Sequence, residues 1–157
     1  MTASAGGKVN FVPTLAFTLD LPGVSQTTLW EFHADPAVLE RLTPPEKNLH
    51  VVERPAALGR GVRVVLDVRQ FGVRLRWITL FEAWEPPRRF VDVQEAGPFS
   101  AWRHEHLFSD GRVEDRVSYE VPLARFGGAV VDALLVRAEI ARLFAYRHRA
   151  TRDALVR

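Results

Sequence analysis

The sequence predicts an α+β fold: a seven-stranded, curved antiparallel sheet wrapped around a long C-terminal helix, with two short helices after the first strand. Three observations carry this. Apolar residues alternate with polar ones from Leu49 to Leu123, with turn signals every ten or so residues, the pattern of an antiparallel meander. The segment after Phe126-Gly127-Gly128 changes to a helical period and stays there to about Leu155. The chain has 157 residues, 47% of them hydrophobic and 25% charged, enough for one core and too few for two. No repeat, low-complexity run or Gly/Ser linker divides it, so residues 1–157 read as a single domain with residues 1–8 as a flexible lead.

The elements follow in order. Val9 to Asp20 alternates through Phe11, Leu15, Phe17 and Leu19, and Pro13 puts this first strand near an edge or strand start. Pro22-Gly23 ends it. Ser25 then caps a short helix carrying Leu29, Phe32 and His33. Asp35-Pro36 starts a second, with Asp35 as cap and proline at the first helical position, and Thr43-Pro44-Pro45 stops it. Six strands are expected near 49–54, 62–70, 73–84, 89–94, 99–109 and 112–121. The Asp110-Gly111 pair between the last two is a strong two-residue hairpin signal. The final helix, 129–155, would be ~40 Å long. Its apolar first half belongs deep in the concavity of the sheet, and its second half, charged from Arg147-His148-Arg149, nearer the rim.

Composition closes off several functions. There is no cysteine, hence no disulfide, thiolate metal site, Fe–S cluster or cysteine nucleophile, which fits a cytoplasmic protein. Met1 to Asn10 has no apolar stretch of a secretory signal, and no run approaches the ~20 apolar residues of a membrane span. Lys+Arg number 21 against 19 Asp+Glu, and only Lys8 and Lys47 are lysines. The one local excess, seven Arg against three acids from Arg125 to Arg157, is explained by a solvated helix face. The other arginines alternate with acids, which breaks up any phosphate-tracking stripe, so no nucleic-acid partner is expected.

Hairpin arithmetic locates the candidate site. With Asp110-Gly111 as the loop, Phe108 faces Val113, His106 faces Asp115, His104 faces Val117 and Trp102 faces Tyr119. These residues share the concave face, while Arg103, Glu105, Glu114, Arg116 and Glu120 point outward. A histidine and an aspartate thus lie opposite one another among apolar residues, ~5 Å apart at Cβ. Three readings are open for His106 and Asp115: a buried polar pair that pins the register, a contact for a ligand carbonyl or hydroxyl, or a catalytic or metal-binding pair. His104 and His106, two residues apart, point the same way and could serve a metal with Asp115, but no second histidine or carboxylate cluster supports this in an apolar cavity, so no metal and no cofactor is assigned. The Phe71-Gly72 hairpin likewise sets Leu66 opposite Trp77 and Val64 opposite Thr79 on the inner wall. Val65, Ile78 and Leu80 fall on the outer face, as scattered surface residues or a patch for a second subunit. Asp92 and Gln94 share a face with Phe90, and the Gly97-Pro98 turn does not say which. His33 is placed at a tunnel mouth or a half-exposed helix end, His50 and His148 in solvent, and Arg147 and Tyr146 near an anionic ligand end or on the surface.

Several strings carry a family likeness. They are Phe32-His33-Ala34-Asp35-Pro36 with Leu42-Thr43-Pro44-Pro45, and Phe90-Val91-Asp92-Val93-Gln94 leading to Gly97-Pro98-Phe99. Others are Trp102-Arg103-His104-Glu105-His106-Leu107-Phe108, Asp115-Arg116-Val117-Ser118-Tyr119-Glu120-Val121-Pro122, and Leu143-Phe144-Ala145-Tyr146-Arg147. In these the chain resembles the SRPBCC superfamily of START-like and polyketide cyclase/dehydrase-like proteins, from about Leu19 to Leu155. The resemblance implies a helix-grip fold with a hydrophobic tunnel for a lipid-like, polyketide-like or aromatic molecule. The expected ligand wall is Leu66, Trp77, Thr79, Trp102, His104, His106, Val117, Tyr119, Leu134 and Ile140. The expected function is binding or transport of a small hydrophobic ligand by a monomer or homodimer, with room for transient membrane contact. The alternatives are a cyclase/dehydratase-type enzyme using His106 and Asp115, and a protein-interaction domain.

Overall fold

The computed structural model describes residues 14–70, 72–122 and 135–156. Seven strands form one antiparallel sheet: β1 (Thr14–Asp20), β2 (His50–Glu53), β3 (Arg63–Gln70), β4 (Val73–Glu85), β5 (Arg89–Ala96), β6 (Ala101–Ser109) and β7 (Arg112–Glu120). Their spatial order is β1-β7-β6-β5-β4-β3-β2, so the meander from β2 to β7 is closed at one edge by the first strand. The expected hairpin registers are present residue for residue. Phe108 pairs with Val113, His106 with Asp115, His104 with Val117 and Trp102 with Tyr119, and Leu66 pairs with Trp77. Gly111 takes φ +68 at the tip, and a Cβ there would lie 3.3 Å from the Leu21 carbonyl oxygen. That closeness reflects a docked loop, since Leu21 N–H donates to the Gly111 carbonyl and Gly111 N–H to that of Val24.

Helix α1 (Gln26–Ala34) starts where Ser25 Oγ accepts from Thr28 N–H, as the sequence predicts. The second expected helix takes a looser form. Asp35 does cap the segment, accepting from Ala37 N–H at 2.8 Å, but residues 36–42 make a run of turns with isolated helical bonds such as Leu42 N–H to Val38. A 3-10 turn (Pro45–Lys47) follows. The segment is only seven residues long between Asp35 and Thr43, too short to repay helix nucleation, and it closes instead by docking Val38 and Leu42 inward. The last helix, α2 (Arg137–Leu155), is described over 19 residues; the expected start at 129 and the first-strand residues 9–13 lie outside the described part.

Two apolar cores lie on the concave face. One gathers Leu19, Leu29, Trp30, Val64, Leu66, Phe81, Phe90 and Phe108 against α1. The other gathers Trp102, Val117, Tyr119, Val136, Ile140 and Phe144 against α2, with Phe17 stacked on Phe144 at 4.5 Å. β6 feeds both, through Phe108 at one end and Trp102 at the other, and its two histidines fall between them. On the convex face the suggested patch is not exposed: Val65 is buried, and Ile78 and Leu80 are half-buried. Ion pairs such as Arg63–Glu95 and Arg103–Glu82 line this face, and their long stems shield the apolar residues between them.

Candidate functional site

Between the sheet, α1, the turn segment and α2 lies a cavity of about 160 Å³. Leu66, Val68, Trp77, Phe81, Phe90 and Trp102 form its apolar wall from the sheet side, and Val38, Leu39 and Leu42 close it from the turns. Its polar end is made by His33, Asp92, His104, His106 and Arg147. Lys47 stands at the lining too, tied to Glu139 of α2 by an ion pair at 2.6 Å. A smaller space of about 50 Å³ adjoins it, sharing Trp77, Trp102 and Leu143 and reaching Phe99, Val136 and Ile140.

The polar end is one connected cluster. His104 Nε2–H donates to Asp115 Oδ1 at 2.9 Å, and His148 Nε2–H to Asp115 Oδ2 at 2.9 Å. His106 Nε2–H donates to Asp92 Oδ2 at 2.9 Å. His106 Nδ1 lies 3.3 Å from Asp115 Oδ1 without making a hydrogen bond, and is a buried polar atom with no partner. His104 Nδ1 faces Asp92 Oδ2 at 3.5 Å, and the two imidazole rings overlap at 3.6 Å between centroids. Arg147 reaches in from α2 with its guanidinium 5.4 Å from the Phe144 ring centre, and its Nε has no hydrogen-bond partner. His33 Nδ1–H donates to the Leu29 carbonyl at 2.8 Å, which leaves its Nε2 as the bare nitrogen.

Burial and neighbouring charge pull these groups apart. Burial favours the neutral acid at Asp115, but three imidazoles outweigh it and hold the carboxyl well below the usual range. Asp92 goes the same way, burial being outweighed by His104 and His106. At His104 burial dominates, with the neighbouring His106 charge adding to it, and the imidazole is pushed below its usual value. At His106 burial is overcome by the two aspartates and the imidazole is raised. Burial lowers Arg147, against the pull of Asp115 and Asp92. His33, desolvated, drops to about 4. The two adjacent imidazoles are thus pushed in opposite directions, His104 down and His106 up.

The sequence-derived wall divides on this geometry. Leu66, Trp77, Thr79, Trp102, His104 and His106 line the cavity. Val117 and Tyr119 share the concave face but lie fully buried beneath α2, because the helix covers that end of β7. Ile140 borders only the smaller space, and Leu134 lies outside the described residues. His106 and Asp115 do stand opposite one another, yet each takes a different partner. His106 turns to Asp92 on the neighbouring strand, and Asp115 receives His104 and His148. The expectation that no further histidine or carboxylate supports a metal set of His104, His106 and Asp115 is corrected: Asp92 converges with His104 and His106, and Asp115 and His148 stand behind. His148, expected in solvent, has a side chain only 16% exposed. Its placement follows from the α2 stripe Ile140, Phe144, Arg147/His148, Thr151, whose 3–4 residue spacing runs on past the apolar half of the helix. Gln94 does not reach the cavity lining; it brackets the Gly97-Pro98 turn, bonding both N–H and carbonyl of Phe99. His50 is exposed as expected.

A curved antiparallel sheet gripping a C-terminal helix over a mixed apolar and polar cavity defines a helix-grip protein of the START-like class. The chain belongs to the SRPBCC superfamily, in the family described as polyketide cyclase / dehydrase and lipid transport, which matches residues 23–141. Solved structures agree in fold. Ginseng major latex-like protein 151 from Panax ginseng is 12% identical with a TM-score of 0.70, covering 94% of this chain and 100% of that one. Protein Ms6760 from Mycobacterium smegmatis is 20% identical at TM-score 0.64, over 92% and 90% of the two chains. Zhui aromatase/cyclase from Streptomyces sp. R1128 is 20% identical at TM-score 0.60, over 92% and 95%. No curated protein matches the chain. The family and fold support a ligand-binding or cyclase-type role. No helix among the described residues is long and apolar enough to cross a membrane.

Proposed function

We propose that the protein binds a compact hydrophobic molecule, aromatic, polyketide-like or isoprenoid-like, whose apolar body fills the cavity and whose oxygen atom meets the polar end. The observation that carries this is the lining itself: an aromatic and aliphatic wall ending in Asp92, His106 and Arg147. Few convergent polar groups in an apolar pocket orient a ligand without adding much desolvation. The volume of about 160 Å³ is close to that of an engineered cavity of about 150 Å³ that admits benzene, so one or two rings fit better than a long acyl chain. Trp77 and Trp102, 5.4 Å apart edge to face, offer ring surface to such a molecule.

The test uses 2-naphthol as probe, followed by quenching of tryptophan fluorescence, together with native mass spectrometry of the freshly purified protein. Saturable quenching that is lost in Leu66→Trp, which fills the cavity, is the expected result. Absence of both saturable quenching and any retained small molecule would refute the reading. A cyclase/dehydratase-type activity is the second reading, favoured by the contrast between His104, pushed down, and His106, pushed up, at the cavity surface. His106→Gln and Asp115→Asn variants that keep 2-naphthol binding but lose turnover of a polyketide substrate would establish it.

A further inference from the structure

Asp92 lies on β5 directly opposite His104 on β6, with His106 two residues along the same face. Each of the three offers one donor atom, a carboxylate oxygen or an imidazole nitrogen, and these three atoms all lie within 4.8 Å of one another. Asp92 Oδ2 is 2.9 Å from His106 Nε2 and 3.5 Å from His104 Nδ1. Donors of one ion at metal–ligand bonds of about 2.1 Å stand roughly 3.0 Å apart in octahedral and roughly 3.4 Å apart in tetrahedral geometry. The two separations from Asp92 therefore suit a single ion.

Hydrogen bonding behind the donors points the same way. His104 Nε2–H donates to Asp115, and the other nitrogen of the ring, Nδ1, faces the Asp92 carboxylate. A cation between this nitrogen and the carboxylate, 3.5 Å apart in a buried site, would be held by both. His106 Nδ1, buried and without a hydrogen bond, lies 3.3 Å from the same Asp115 oxygen. An Nδ1–H turned to Asp115 would leave the Nε2 lone pair for the ion. A carboxylate that orients ligating imidazoles from behind is the usual outer support of a histidine metal site, and here His148 holds that carboxylate in turn.

We propose that Asp92, His104 and His106 bind one divalent transition-metal ion, with its remaining positions open to the cavity. Two imidazole nitrogens and one carboxylate select zinc, cobalt, iron or manganese over calcium or magnesium. The open positions, with Arg147 beside them, suit an oxygen donor on a ligand.

Co2+ is the probe, added to protein first stripped with EDTA. The expected result is one Co2+ per chain by elemental analysis, with the visible d–d absorption of a low-symmetry nitrogen/oxygen site. Asp92→Asn and His106→Gln should each weaken binding at least about tenfold, while His50→Gln, on the exposed surface, leaves it unchanged. Circular dichroism establishes that each variant is folded. Independently of any variant, Co2+ should broaden the imidazole NMR signals of His104 and His106 in the native chain. No bound Co2+, a signal lost in His50→Gln, or unbroadened His104 and His106 resonances each overturn the proposal.

Discussion

Replacing Asp115 by asparagine tests the electrostatic reading of the buried cluster most directly. The carboxylate is buried and accepts two hydrogen bonds at 2.9 Å, from His104 on one oxygen and from His148 on the other. Asparagine is nearly the same shape, so packing stays and only charge and one acceptor are lost. Its carbonyl will keep His104, whose side chain is 2% exposed and hemmed in by Asp92. The new NH2 must then face His148, which has to surrender its Nε2 proton and rotate its other nitrogen toward water. Charge-assisted bonds of this kind contribute about 1.5–3 kcal/mol each, and breaking a buried ion pair costs about 3–5 kcal/mol. With one bond retained, Asp115→Asn should lose about 3 kcal/mol, and at about 2–4 °C per kcal/mol for a chain of this size Tm should fall by about 6–12 °C. The measurement is urea unfolding of metal-free protein at pH 7, with the m-value unchanged. In a His148→Ala background the conflict disappears, so the loss should shrink by about 1 kcal/mol in the double-mutant cycle. A loss under about 1 kcal/mol, or no coupling to His148, would refute the account of the cluster as charge-stabilised.

Three other outcomes follow from single residues. Folded His33 takes its proton only near pH 4, while the unfolded chain takes it near 6.5, so between these the unfolded state binds more protons and stability is lost as the pH is lowered. That loss amounts to about 3 kcal/mol at most, and the stability difference between wild type and His33→Gln, followed by urea unfolding from pH 7 to pH 4, should move in favour of the variant by a large part of it; a pH-independent difference contradicts the burial of the ring. Phe144→Ala removes a fully buried ring stacked on Phe17 and should cost about 3–5 kcal/mol in the same assay, against under 1 kcal/mol if the α2 core were loosely packed. Gly111→Ala places a Cβ in a left-handed turn against the Leu21 carbonyl, and should cost about 1–2 kcal/mol and slacken amide-exchange protection at Leu21 and Gly111.

Period and turn chemistry made the sheet legible before any coordinates. Alternation along 101–120, broken only at Asp110-Gly111, dictates which residue of β6 opposes which of β7, since a side chain's face is decided by counting from the turn. That reasoning put His104, His106 and Asp115 on one face, and Leu66 opposite Trp77 on the inner wall. It could not bring in Asp92, because the Gly97-Pro98 turn leaves the β5 register open, and a bulge between Phe81 and Ala83 shifts the count from the other side. Nor could it bring in His148, and it left Arg147 undecided between a ligand's anionic end and the surface. Their helix carries its stripe through a charged stretch, and a charged residue on a stripe reads as solvated until a buried counter-charge is seen across from it.

The amino-acid order alone determined the fold class, the boundaries of strands β2 to β7 to within a residue or two and the pairing of two hairpins. All of these rest on local periodicity and on the stereochemistry of a few turn residues. Only the tertiary structure decided which hydrogen-bond partner each buried histidine takes, how much of the concave face α2 covers and how much remains as cavity. Those outcomes depend on strands far apart in sequence and on a helix angle, and a nitrogen's choice between two carboxylates turns on tenths of an ångström that no spacing rule encodes.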